Sequence, residues 1–145
     1  MRPLAFLFVL TAAWSSLALA RDVTLFGQGD MDTMYNWAVP SEKLEAQPQW
    51  SPSAGPPPLS IAKAVEIAET WIKKQYPEVR QFAIASVALG RANAWSSSTA
   101  ERWYYRIEFY PIVGGKRLFG GQFIAVVLFD GSVVEPRAEK RVSGK

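Results

Sequence analysis

Cysteine and histidine are both absent from this chain of 145 residues. Without cysteine there is no disulfide staple, no thiolate metal site and no cysteine nucleophile. Without histidine the chain lacks the usual general base near neutral pH and the commonest metal ligand. Excess charge is scarce as well. The formal net charge of +3 includes Arg2, and beyond residue 20 fifteen basic side chains face thirteen acidic ones. That balance is too even to draw nucleic acid or anionic lipid. No glycine-rich phosphate loop, nucleophile elbow or zincin motif occurs. Asp30 and Asp32, beside Gly27 and Gly29, lack the later glutamate that would complete a calcium loop, so this segment reads as a plain loop. The expectation is a chain without catalytic residues, metal or cofactor.

What is present is apolar surface, with 49% hydrophobic residues, enough for the core of one domain. Its first twenty residues have the pattern of a targeting segment. Arg2 gives a positive start, Leu4 to Leu19 is almost wholly apolar, and Ala18-Leu19-Ala20 offers small residues before a cut after Ala20. The run is shorter than the about 20 apolar residues of a membrane span and ends in a cleavage-like site. Residues 1–20 therefore read as a secretory signal peptide, which implies a secreted or periplasmic protein with no membrane insertion after cleavage.

Residues 21–58 read as an aromatic and proline-rich arm or linker. Phe26, Tyr35 and Trp37 show no sustained period of 2 or 3.6, and Ser51 to Pro58 holds four prolines in eight residues, a composition that favours an extended spacer. The stretch Leu59 to Pro77 is different. Ile61, Ala64, Val65, Ala68 and Ile72 recur on one side, with Lys63, Glu66, Glu69, Lys73 and Lys74 opposite, which predicts an amphipathic helix capped by Ser60 and ended by Pro77.

Strands are expected downstream. Val79 to Arg91 changes apolar parity between Ile84 and Val87, which predicts a bulge near Ser86. Arg91 to Arg102 reads as a surface loop with Trp95 in its middle. Trp103, Tyr105, Ile107 and Phe109 alternate with Tyr104, Arg106, Glu108 and Tyr110, the first set facing the helix and the second facing solvent. A turn at Gly114-Gly115 would set Ile107 opposite Gln122 and Tyr105 opposite Ile124, unless Gly120-Gly121 carries a bulge that shifts the pairing by one. Asp130-Gly131 predicts a last hairpin into Ser132 to Pro136. Arg137, Lys140, Arg141 and Lys145 read as a solvated tail.

The architecture is thus α+β, with one N-terminal helix packed on a four-stranded antiparallel sheet over residues 59–145. In Gln122 to Phe129 both strand faces are apolar, so the sheet cannot meet only water on its second side. The tryptophan-bearing arm of residues 22–50 is the preferred cover, ahead of a second copy of the chain in a homodimer, or a partner.

Three segments, KKQYPEV closing the helix, the strand WYYRIEF and the hairpin VVLFDGSVVEP, resemble PepSY-like domains, which belong among cystatin-like folds. The likeness covers about residues 59–136. It implies an exported module that binds or restrains a partner rather than catalysing a reaction. The Gln-x-Val-x-Gly hairpin and Pro-Trp loop of peptidase-inhibiting cystatins do not occur.

Tyr104, Arg106, Glu108 and Tyr110, with Trp95, are the candidate binding residues for a protein or peptide partner, since aromatics and arginine bury much area at small entropic cost. A carboxylate beside a guanidinium between phenols can also orient a polar ligand, although the plain reading of Arg106 and Glu108 is a surface ion pair. The alternatives are a small-molecule pocket between helix and sheet, and a structural subunit that self-associates through its sheet. Trp71, Trp103, Tyr105 and Phe109 are bulky enough to fill the space such a pocket needs.

Overall fold

A computed structural model of the chain describes residues 21–29, 32–92, 101–118 and 123–140. The expected signal peptide, Trp95 with most of its loop, Asp30, Gly120-Gly121, and Arg141 and Lys145 lie outside them. The described residues form antiparallel sheets with few helices: β1 (Asp22–Gly29), β2 (Thr33–Pro40), α1 (Ser41–Glu45), a 3-10 turn (Pro52–Ala54), α2 (Ile61–Gln75), β3 (Gln81–Ala92), β4 (Arg102–Val113), β5 (Lys116–Arg117), β6 (Phe123–Leu128), β7 (Val133–Val134) and β8 (Pro136–Lys140).

The larger sheet runs β3-β4-β6-β7, with β5 paired to β4. Helix α2 lies mainly over β6. It begins at Ser60, whose hydroxyl accepts from the Lys63 N–H at 3.2 Å and satisfies one orphan donor of the first turn. Ala64, Ala68 and Ile72 are buried against Tyr105, Ile107, Phe109, Ala125, Val127 and Phe129. Small alanines let the helix sit close to the sheet. Ile61, expected in the buried stripe, is 54% exposed, because it lies at the helix start beyond the cover of the sheet.

The other face of this sheet is apolar too, and the chain itself covers it. A smaller sheet, β1-β2-β8, packs Trp37 and Val39 of β2, with Leu44 of α1, against Tyr104, Ile124, Val126 and Leu128. The arm therefore folds as a hairpin. Its lack of a clean period has a local cause, a register shift between Thr24 and Phe26 that breaks the alternation of β1. The proline-rich stretch is likewise not fully extended. It contains the 3-10 turn Pro52–Ala54, and Trp50 donates its indole N–H to the Gly55 carbonyl at 3.0 Å while its ring meets Trp103 and Phe129 edge-on.

Register supplies one further correction and two agreements. Gly114 and Gly115 both take positive φ, as a two-residue hairpin turn requires, and pair Val113 with Lys116. Yet Ile107 pairs with Ala125 and Tyr105 with Val127, three residues along from the expected partners Gln122 and Ile124. The extra residues fall after β5, between the two ladders. The bulge of β3 is found between Ile84 and Ser86, where the apolar parity changes.

At the last hairpin Gly131 has φ of 83° and the Leu128 N–H donates to the Ser132 carbonyl at 2.9 Å, a three-residue connection with glycine in the left-handed position. The expected strand Ser132 to Pro136 is cut to Val133–Val134. Past Glu135 the chain leaves the larger sheet and pairs with β2 of the smaller one, from Trp37 opposite Pro136 to Thr33 opposite Lys140. Arg137 and Lys140 thus lie in a strand rather than a tail, with side chains exposed as expected, and Arg137 forms an ion pair with Asp22.

Candidate functional site

The row Tyr104, Arg106, Glu108 and Tyr110 does lie opposite the helix-facing row of β4, as alternation requires. Its surroundings differ from the expectation. The smaller sheet covers that face, so Tyr104 is only 6% exposed and its hydroxyl donates to the Leu25 carbonyl of β1 at 2.6 Å. Burial raises the Tyr104 phenol above its ordinary value, the nearby Arg106 charge opposing, so the group remains a proton donor. Tyr104 is therefore not on a solvent face. It is a tie between sheets.

Arg106 and Glu108 do pair, with Nε 3.2 Å from Oε1, but the N–H is not aligned on the oxygen as a hydrogen bond. The Arg106 guanidinium carbon stands 4.8 Å from the centre of the Phe26 ring, a cation–π contact beneath β1. This pair is partly enclosed rather than an open surface pair. Tyr110 is half-buried across from Ala83 of β3. The four residues thus share one strand face, of which the end nearest Tyr104 is sealed.

A second polar group joins the arm to the domain, and no motif in the sequence pointed to it. Gln47, 4% exposed, donates from Nε2 to Asp130 Oδ2 at 2.8 Å and accepts from the Asp130 N–H at 3.0 Å. The other carboxylate oxygen accepts from the N–H and hydroxyl of Ser132 at 2.8 and 2.6 Å. Burial alone would raise the Asp130 pKa, but the hydrogen bonds from Gln47 and Ser132, helped by the Lys43 charge, outweigh it and hold the carboxyl below its ordinary value. Arg102 adds a related contact, donating from Nε and Nη2 to the Leu44 and Glu45 carbonyls at the end of α1 at 3.2 and 2.9 Å. These groups tie the arm to the larger sheet.

The space between helix and sheet, where the alternative reading put a pocket, is filled by Tyr105, Ile107 and Phe109, which are fully or almost fully buried, and the Tyr105 hydroxyl donates to the Leu59 carbonyl at 2.7 Å. A cleft of about 290 Å³ opens elsewhere, where the chain passes from β7 to β8. It is lined by Ala38, Val39, Lys43, Val134 and Arg137 among others. That is at the lower bound for small-molecule sites. Its arginine is already paired with Asp22. Among the described residues no three acidic side chains come together as a metal site, and no helix is long and apolar enough to cross a membrane.

A row of exposed apolar side chains lies on β3. Opposite residues in an antiparallel pair share a face, and Ile84, Val87 and Leu89 stand opposite Phe109, Ile107 and Tyr105. They therefore look toward the α2 side. The helix is two strands away over β6 and does not reach them, leaving the three side chains 41%, 36% and 39% exposed. The residues of β3 on the other face, Ser86, Ala88 and Gly90, are small, which gives room to Glu108, Arg106 and Tyr104 opposite them. No family model matches this chain, and no match is found among curated proteins or solved structures.

Proposed function

We propose that this chain is an exported, non-catalytic binding module that engages a protein or peptide partner on the open edge of its larger sheet. The observation that carries the reading is the row Ile84, Val87 and Leu89, apolar and exposed on a strand that helix α2 leaves uncovered. Soluble domains seldom leave a contiguous apolar row on a sheet edge without a use for it. Export rests on the charged start, apolar run and Ala18-Leu19-Ala20 site of the first twenty residues. The PepSY-like, cystatin-like reading draws support from a helix followed by four antiparallel strands with the helix packed on one face. The arm hairpin on the second face is an addition to that plan.

The test compares the purified chain with a Val87→Lys/Leu89→Lys variant as baits in native secreted and envelope fractions. Both positions are exposed, so the variant should keep its melting temperature. A stoichiometric partner held by the native chain and lost by the variant supports the reading. A partner held equally by both, or none with either, overturns it.

A further inference from the structure

Resting on the reading of β3 as a binding surface, we infer that the occupant is a single extended peptide segment that adds alongside β3 as another antiparallel strand. Among the described residues β3 pairs with β4 alone, so one edge of a strand of twelve residues presents ladder groups without a strand partner. Native sheets protect such edges with proline, several charges, short length or a covering element. The sequence QFAIASVALGRA has no proline and one charge, Arg91, which is engaged by Glu101 at 3.0 Å. Among the described residues the strand carries one bulge, between Ile84 and Ser86, and β1 approaches the strand from the side of the smaller sheet. Beyond the bulge, Ser86 to Ala92 pairs with β4 in unbroken register, a template of seven residues.

The same segment states what it can recognise. Val87 and Leu89 present apolar surface toward the α2 side, while Ser86, Ala88 and Gly90 face the smaller sheet. A strand laid beside them gains main-chain hydrogen bonds along its length and apolar contact at every second side chain. That combination is how strand addition obtains affinity from a narrow surface. The ligand class is therefore an extended segment with apolar residues at alternate positions, free of proline where its N–H groups must meet β3.

A second copy fits less well. Two β3 strands paired about a two-fold axis would place their α2 helices over β6 strands five spacings apart, about 24 Å at the usual strand separation. Helices are about 10–12 Å across, so the two would not touch. The copies would meet along one strand edge, with three side chains each less than half exposed. Stable dimers bury about 800 Å² per partner. An isolated strand needs no such area.

The experiment uses three acetylated, amidated nonapeptides: one alternating valine and threonine, one of the same composition with the valines clustered, and one alternating copy N-methylated at every second residue. Binding is read by amide chemical shifts and hydrogen exchange of the full chain labelled with nitrogen-15. The alternating peptide should protect every second amide from Ser86 to Ala92. The clustered and N-methylated peptides, and the alternating peptide on the Val87→Lys/Leu89→Lys variant, should bind at least tenfold more weakly.

Equal binding of the N-methylated peptide overturns strand addition while leaving β3 as a binding surface. Absence of any peptide binding, with a captured partner still lost by the lysine variant, also overturns the peptide inference and spares the broader one. If the same amides become protected on raising the concentration of the chain alone, with a discrete dimer by sedimentation, the occupant is a second copy.

Discussion

Gly90 of β3 stands directly across from Tyr104 of β4, and a Cβ built on Gly90 would lie 2.3 Å from Cζ of the tyrosine ring. The ring lies over the bare backbone of an edge strand and continues to β1, where its hydroxyl is held by the Leu25 carbonyl. Glycine here serves close approach. It is the aromatic cover of an edge glycine, and it joins three strands through one side chain.

Gly90→Ala should accordingly destabilise the chain by about 1–3 kcal/mol, because the ring is anchored at its far end and cannot simply swing aside. Urea unfolding measures the loss. In a Gly90→Ala/Tyr104→Ala double variant the two effects should be less than additive, since removing the ring removes the clash.

Tyr104→Phe should cost about 1 kcal/mol by leaving the Leu25 carbonyl short of its donor. Tyr104→Ala should cost about 3–5 kcal/mol, in the range of other large aromatic deletions from a core. Tyr110→Ala, at a half-buried site, should lower the melting temperature less. Equal losses at the two positions would contradict the sealed and half-open ends of this row.

Asp130 has a folded pKa below its unfolded one, so its contribution to stability is complete above the ordinary aspartate value. It is lost as pH falls through the folded value. Denaturation midpoints measured from neutral to acid pH should show this slope in the native chain. Asp130→Asn should flatten it, and Gln47→Leu should reduce it, since Gln47 supplies the leading favourable contact to the carboxylate.

Removal of residues 21–58 should uncover Ile124, Val126, Leu128 and Tyr104, since Trp37, Val39 and Leu44 pack on them from within the deleted segment. A hydrophobic dye should bind the shortened chain and not the native one. A truncated domain that remained soluble, monomeric and dark to the dye would show that the larger sheet tolerates exposure.

Where an element obeyed one period along its whole length, its place could be read directly. Helix α2 and strand β4 did so, and the doubly apolar β6 foretold cover on both faces. The arm escaped because the shift near Thr24 and Phe26 disguised its alternation. The register of β6 escaped because a glycine turn fixes only the residues beside it, and the slip occurs beyond β5. Tyr104 was placed on the correct face of β4 but misjudged as a solvent residue, since periodicity reports which residues share a face and not what lies over it. The exposed row on β3 follows from the position of α2 over β6, a tertiary fact. Its alternation of small residues with valine and leucine was already visible in SVALG.

The turn of the chain at Glu135, from the larger sheet into the smaller, also sets an order of events. β2 cannot gain its second neighbour until the last described residues of the polypeptide are available, because Thr33 pairs with Lys140. Closing so long a loop is entropically costly and slow compared with forming the β1-β2 or β6-β7 hairpins. A chain emerging from a ribosome would leave that second edge of β2 unpaired until Pro136 to Lys140 had emerged.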